Sequence, residues 1–589
     1  MEEKFVRGPN PFEQVQIGTE LVPAYLRFHP GDENKFWMLD TIHSPEPLYP
    51  LEYESSYIAL AEFADSYGME INKVPTAHGN AFRILNGWCY FNSVDVTDPD
   101  EINKRAPLIG EKCGQVYPRW EQWVAETETP HRKAADWLAS FDFEKDPDLS
   151  DPAQLYSLIE RFDATIAALY HSAGTHLETM VLMFGQKLGF SALCQELVPG
   201  TTDEECNKML QGFGNKLMET DAEFWKLGEL ADTLGVADVV KGPPEEAVAA
   251  LEKTDNGRKW LEALKKLVTE YGLRHVGGCY NLMPVSWIED LSYPISFVRG
   301  FMAKKERGEQ MVPKEALVAE RERVINEFRA KLKTDEDRKK FDENLSLLQR
   351  MYPWYEDHNF LYEGRLGTGV HLKIVELGRR LVNEGYLDEP YDIGYLLLHE
   401  LRQLLFELQN KRLEFRDYNL LDYRAVIKER KEIRKKQAEW KPPVVLGLKP
   451  VVAPENPVAI FVYGALPEII DRAFAEVAKP EEVMEITGLA ASPGVAEGVA
   501  RVLLDVSQLK DVLPGEILVC GSTNPMWNPV FGKVVAVVTD TGGLMAHAAI
   551  ISREYGLPSV VGTANATKVI KTGDRIRVDG SKGLVTKIK

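Results

Sequence analysis

"TGGLMAHAAIISREYGLPSVVGT", Thr541–Thr563, decides the fold of the C-terminal part of this chain. The run before it, "KVVAVVTD", is β-branched and reads as a buried strand. Gly542 and Gly543 then predict a tight turn, and Met545 to Tyr555 a helix stopped by Gly556 and Pro558. "PSVVGT" reads as the next strand, which makes the whole a β/α unit. His547 falls in the first helical turn, where unpaired N–H groups and the positive dipole end stabilise an anion. The same field disfavours imidazolium and keeps the ring neutral and nucleophilic. No metal-ligand partner stands nearby, and the immediate neighbours are Ala546 and Ala548 rather than a serine or cysteine. An imidazole presented alone in this way suits a group that accepts a phosphoryl and hands it on. The competing reading is a helix-start histidine with no task, which position alone does not exclude.

Working outward, "GVARVLL", "GEILVC", "GDRIRVDG" and "GLVTKI" repeat the short β-branched texture between Gly, Pro and Asp turns. Residues 486–589 are therefore expected to form one compact β/α domain. Between about Asp151 and Lys436 the period is helical instead, as in "PAQLYSLIERFDATIAALYHSAGTHLETMVLMFGQKLG" and "PKEALVAERERVINEFRAKLKTDEDRKKFDENLSLLQRMY". The part before Asp146 mixes aromatics, prolines and short apolar runs and gives no clear period. The expected organisation is a mainly helical domain over 1–436, a linker region over 437–485, and the β/α domain. The basic run "IKERKEIRKKQAEWKPP" is read as a solvated helix end before a proline-rich linker.

The chain has 589 residues, 44% hydrophobic and 27% charged, the profile of a globular protein with several domains. A formal net charge of −21 opposes nucleic-acid or anionic-membrane binding through long-range repulsion. Six scattered cysteines without CxxC spacing read as reduced thiols. The sequence opens without a signal-type apolar core and contains no stretch of membrane-spanning length, so a cytoplasmic location is expected.

"GGLMAHAAIISREYGLPSVVG" resembles the phosphohistidine signature of the swivelling, or mobile, domain of phosphoenolpyruvate-utilising enzymes. That group includes phosphoenolpyruvate synthase, pyruvate phosphate dikinase and the rifampin phosphotransferases. "LPGEILVCGSTNPMWNPVF" and "GDRIRVDGSKGLVTKI" match the same domain in order and spacing, from about Ile486 to Lys589. The resemblance implies that His547 is the phosphoryl carrier, with Gly542 and Gly543 supporting the phosphate. Ala546 stands where many members have Ser or Thr, so regulatory phosphorylation at that position is ruled out. Arg553 matches a family arginine but lies six residues past His547, off its helical face, and Trp527 and Asn528 read as packing.

"DTIHSPEPLYPL", "LVPGTTDEECNKMLQGFGNKLMETDAEFWKL", "WYEDHNFLYEGRLG" and "GRRLVNEGYLDEPYDIGYLLLHEL" resemble the acceptor-binding helical domain of rifampin phosphotransferases and the large subunit of phenylphosphate synthase. GxxxxGK[ST] is absent, "GRLGTG" reads as a turn, and no phosphoenolpyruvate-binding barrel follows the swivelling domain in this sequence. The phenylphosphate synthase resemblance therefore implies that Mg2+ and ATP are held by a separate ATP-grasp subunit, that no metal is bound by this chain, and that a phenolic hydroxyl is the acceptor. The fold class expected is multidomain, α plus α/β. The expected acceptor-site residues are His358 as base, with Glu356 or Asp357 assisting, and His43 and Arg365 binding substrate. The competing explanations are a charged helix end near Pro353 and a loop histidine capping a turn. His171 and His176 lack the spacing for metal and read as structural, and His399 reads as a core or boundary residue. Two rival functions remain at this level: transfer to an antibiotic-type alcohol or other hydroxyl, and a non-catalytic regulatory protein with a retired swivelling domain.

Overall fold

The computed structural model describes residues 6–56, 65–145, 157–273, 281–308, 314–411, 421–475, 480–504, 506–524, 527–544 and 546–588. Near the N-terminus, β1 (Phe36–Leu39), β2 (Ala77–Leu85) and β3 (Trp88–Asp95) form an antiparallel sheet. Asn86 and Gly87, both at positive φ, close the β2–β3 hairpin, the Asn-Gly pair that a two-residue turn requires. The fourth strand is β4 (Val445–Gly447), and the order is β2-β3-β1-β4. Trp37 lies opposite Leu446, and both are fully buried with Tyr90.

The region read as a linker, 437–485, is thus built into the body. Its apolar Val445 and Leu446 complete a sheet edge. Buried Asn456 caps the helix Pro457–Phe461 and donates to the Gly79 carbonyl, and the helix Pro467–Phe474 buries Ile469 and Ile470. The basic run is also more embedded than a solvated helix end. Within the helix Tyr423–Glu439, buried Arg430 grips Glu400 at 2.6 and 2.8 Å. Arg434 lies 3.9 Å over the Tyr49 ring and pairs with Glu46, while Lys431 pairs with Asp392.

Helices dominate between these sheets. Leu158–Leu197 is one 40-residue helix, about 60 Å long at 1.5 Å per residue, started by a Ser157/Glu160 capping box. Its apolar residues spread around the circumference because neighbours pack on several sides of it. The helices Asp255–Tyr271 and Ser292–Glu306 pack on Lys216–Leu234 around a core that includes Phe224, Trp260, Trp287 and Phe297, and Asp335–Met351 packs on the 40-residue helix. Thr254 and Thr334 cap two of them. His399, expected near the core, is exposed in the first turn of the helix Leu398–Lys411.

Among its described residues the C-terminal domain has eight strands: β5 (Glu485–Thr487), β6 (Leu489–Ser492), β7 (Val495–Leu503), β8 (Ile517–Cys520), β9 (Ala536–Thr539), β10 (Ser559–Val561), β11 (Arg575–Asp579) and β12 (Leu584–Lys587). Their order is β5-β12-β11-β7-β8-β9-β10-β6. β7 to β10 run parallel, and antiparallel strands flank them. The helix His547–Glu554 is the crossover from β9 to β10. His547 therefore sits outside the carboxyl ends of the parallel strands, where open α/β sheets bind ligands. Among the described residues, five cysteines are free and no helix is long and apolar enough to cross a membrane.

Candidate functional site

β9 delivers the chain into a turn that its own polar groups fix. Thr539 Oγ1 donates to the Thr541 carbonyl at 2.7 Å, and Thr541 donates N–H and Oγ1–H to the Gly521 carbonyl at 2.9 and 3.0 Å. Buried Asp540 accepts from Thr563, from the Thr567 amide and from the Thr567 hydroxyl, while burial raises its pKa. The turn ends at half-buried His547. Its Nδ1 is 2.8 Å from Thr523 Oγ1, on the loop after β8, and the Phe531 ring meets the imidazole edge-on at 5.6 Å. Thr523 and Phe531 fix the orientation of the ring. Ala548 and Ala549 carry the helix into the core. Arg553 binds the carbonyls of Ala491 and Leu544, tying helix to sheet rather than reaching the imidazole.

The turn lies against the body of the protein. Thr541 Oγ1 meets Thr41 Oγ1 at 2.8 Å, Ser522 Oγ donates to the Thr41 carbonyl at 2.6 Å, and the Gly542 amide points to the Tyr463 carbonyl at 3.4 Å. Gly542 has φ +113°, a conformation only glycine adopts readily. A Cβ on Gly543 would fall 2.6 Å from the Ile460 carbonyl oxygen and 2.9 Å from that of Phe461. The glycine pair therefore allows backbone-to-backbone approach between the two parts of the chain.

Two residues after Thr41 comes His43. Its Nδ1 is 3.1 Å from Oδ2 of fully buried Asp40 and 3.1 Å from the Tyr463 hydroxyl. Asp40 Oδ1 accepts the amides of Ile42 and His43, and Tyr463 stacks on Phe91 at 3.9 Å. Behind this loop lies a group of imidazoles. His176, on the 40-residue helix, lies 4.6 Å from His358, centroid to centroid, with the two rings tilted by 38°. Burial lowers its pKa well below the ordinary value, and His358, His43 and His131 lower it further. His131 stacks on Tyr362 at 4.3 Å, within a nine-residue π-helical stretch, Asn359–Gly367, of a kind frequent at functional sites.

The residues expected at an acceptor site thus separate. His43 reaches the contact face. His358 lies one ring behind, buried, its Nδ1 bonded to the Trp354 carbonyl and its pKa pushed down to about 4, by burial above all. Asp357 caps the helix Lys216–Leu234 by accepting the Lys216 amide at 2.7 Å. Arg365 is half-buried in the π-helical stretch. The side chains of Glu356 and His171 lie outside the described residues. Sequence reasoning missed the contributions of Asp40, Thr523 and Tyr463. The first two stand inside quoted motifs, whereas nothing in the sequence marks Tyr463. Among the described residues, no cluster of three His, Cys, Asp or Glu side chains has the geometry to hold a metal ion.

The contact between the sheet domain and the helical layer buries two ionisable groups. Lys533 donates to Ser296 Oγ at 3.2 Å, lies 5.5 Å from the Phe297 ring and has no exposed surface. Burial lowers its pKa to about 7, and Arg299 adds to this, while Asp511 and Glu516 act the other way. Glu554, 3.4 Å from the Tyr352 hydroxyl, is raised to about 7 by burial, opposed by Arg553, Tyr352 and the Gly212 amide. Undocking of the domain would return Lys533 to its ordinary value and have it take up a proton at any pH from 7 to about 10. Docking through Lys533 therefore strengthens as pH rises across that range. Glu554 loses a proton on leaving between about pH 4.5 and 7, so docking through it strengthens as pH falls. Lys533→Met is expected to tighten docking at least about tenfold at pH 7 and to abolish the strengthening above pH 7. Distances between spin labels on the sheet domain and the helical layer, followed across pH, would check this.

Residues 512–583 match the PEP-utilising enzyme mobile domain, and residues 175–357 match the rifampicin phosphotransferase fourth domain. The uncharacterized phosphotransferase YvkC of Bacillus subtilis is 28% identical over 94% of this chain and 62% of its own length. A rifampicin phosphotransferase of Bacillus cereus is 32% identical over 60% of this chain and 38% of its own. A probable phosphoenolpyruvate synthase of Staphylothermus marinus is 51% identical over 17% of this chain and 12% of its own. The chain thus spans less than two thirds of the length of these curated relatives. Along the chain, a region similar to the fourth domain of the rifampicin phosphotransferases precedes one similar to the mobile domain of the PEP-utilising enzymes.

Proposed function

We propose that this chain is the carrier and acceptor-binding part of a phosphotransferase that makes an aryl phosphate through phosphohistidine at His547. The observation that carries this reading is the placement of His547, at the carboxyl ends of β8 and β9 with Nδ1 engaged by Thr523. With Nδ1 taken, attack on phosphorus falls to Nε2. ATP and Mg2+ belong in this reading to a separate ATP-grasp subunit. Attack on the β-phosphorus expels AMP, hydrolysis releases the γ-phosphoryl as phosphate, and His547 keeps one phosphoryl group.

The carrier domain then visits the body, and the state described above, with Thr541 on Thr41, represents its acceptor-side position. Because β4 belongs to the first sheet, Val445–Gly447 stays with the body in this movement. A phenolic acceptor is favoured because its reference pKa near 10 brings the hydroxyl within reach of a general base. The test is incubation of this chain and an ATP-grasp protein with β-labelled ATP and phenol, methanol or a rifamycin. Labelled phenyl phosphate supports the aryl reading. Label appearing only on the rifamycin, or on none of them, would overturn it.

A further inference from the structure

We propose that His43, oriented by Asp40 and Tyr463, is the general base that takes the proton from the acceptor hydroxyl. The proposal rests on the carrier role of His547 and adds the residue on the opposite side of the same contact. Tyr463 joins the two sides, since its carbonyl faces the Gly542 amide of the carrier turn while its hydroxyl lies 3.1 Å from His43 Nδ1. Thr41 does the same through Thr541 and Ser522, one residue before the Thr523 that holds His547. Two imidazoles are thus fixed across one interface, each through Nδ1, so that chemistry on both falls to Nε2.

Asp40 is suited to orient and support His43. It is fully buried, two backbone amides hold its other oxygen, and its carboxylate faces Nδ1. A carboxylate so placed holds the Nδ1–H tautomer and stabilises the imidazolium that forms during proton abstraction. The groups facing His43 are Asp40 on its own loop, Tyr463 from the segment after the helix Pro457–Phe461, and His176 from the 40-residue helix. His358 is less suited, because burial holds its pKa far down and its ring stands behind His176.

In the transfer, the acceptor O–H gives its proton to His43 Nε2 as its oxygen bonds to phosphorus and the bond from His547 Nε2 to phosphorus breaks. His547 leaves as neutral imidazole with its Nδ1 proton directed at Thr523, and His43 returns its proton to water.

The test needs no nucleotide subunit. The chain is phosphorylated on His547 with potassium phosphoramidate, and loss of phosphohistidine is followed with phenol, methanol and water alone as acceptors from pH 5 to 9. Wild type is expected to discharge to phenol at a rate that falls as pH drops through the imidazole range. His43→Gln should load equally but discharge about a hundredfold or more slower, without that inflection. Tyr463→Phe, which keeps the stack on Phe91, should retain the inflection at a shifted pH. Discharge of His43→Gln at the wild-type rate and with the wild-type profile overturns the proposal. Loading that persists in His547→Ala overturns the carrier reading instead. Discharge to water alone sinks the phenolic acceptor, and the same His43→Gln comparison then still decides the base.

Discussion

His547→Ala is expected to end phosphoryl incorporation from any donor and to lower transfer to acceptor by more than about 10³-fold. In the proposed reading His547 is a covalent carrier, and such a carrier has no substitute once its nucleophile is gone. The fold should persist. The imidazole is half-buried and its hydrogen bond to Thr523 is a modest interaction of about 1 kcal/mol, so its loss leaves the domain folded. Acid-labile label measured by denaturing gel, with thermal melting as the control for folding, checks the expectation. Full labelling of a folded His547→Ala protein would remove the basis of the functional reading.

The second large effect is expected at Gly543. An added methyl would approach the Ile460 carbonyl at 2.6 Å, and neither party is a side chain that rotates away. Gly543→Ala must therefore push the turn before His547 off the body. A displacement of about 1 Å at a reacting centre can cost a hundredfold in rate. Loading of His547 by phosphoramidate should survive, since that step does not use the contact, whereas discharge to phenol should fall about a hundredfold. Equal loss of both steps would mean that the glycine serves the fold of the carrier domain and not its docking.

The C-terminal β/α domain was legible because its information is local. Each of "GEILVC", "KVVAVVTD", "PSVVGT" and "GDRIRVDG" coincides with an observed strand, and Gly556 and Pro558 follow the end of the helix that begins at His547. The N-terminal sheet was not legible, because β1 is only four residues long and its outer neighbour lies in a proline-rich stretch that reads as a tether. The acceptor side failed for a related reason. Neighbours in "EDHNF" were grouped by sequence, but the helix Trp354–His358 turns Asp357 toward another helix end and His358 into the interior. His43 obtains its partners from a residue three positions back and from one 420 positions on, and only the first of these can be seen in a motif.

The pairing of β1 with β4 also has a consequence for how the protein is made. Trp37 leaves the ribosome early, whereas its partner Leu446 follows roughly four hundred residues later. At 5–20 residues per second that interval is about 20–80 s. Throughout synthesis of the intervening helices, the nascent polypeptide carries an open strand edge, a template to which another chain can add. A product truncated before Val445 would keep that edge open for good.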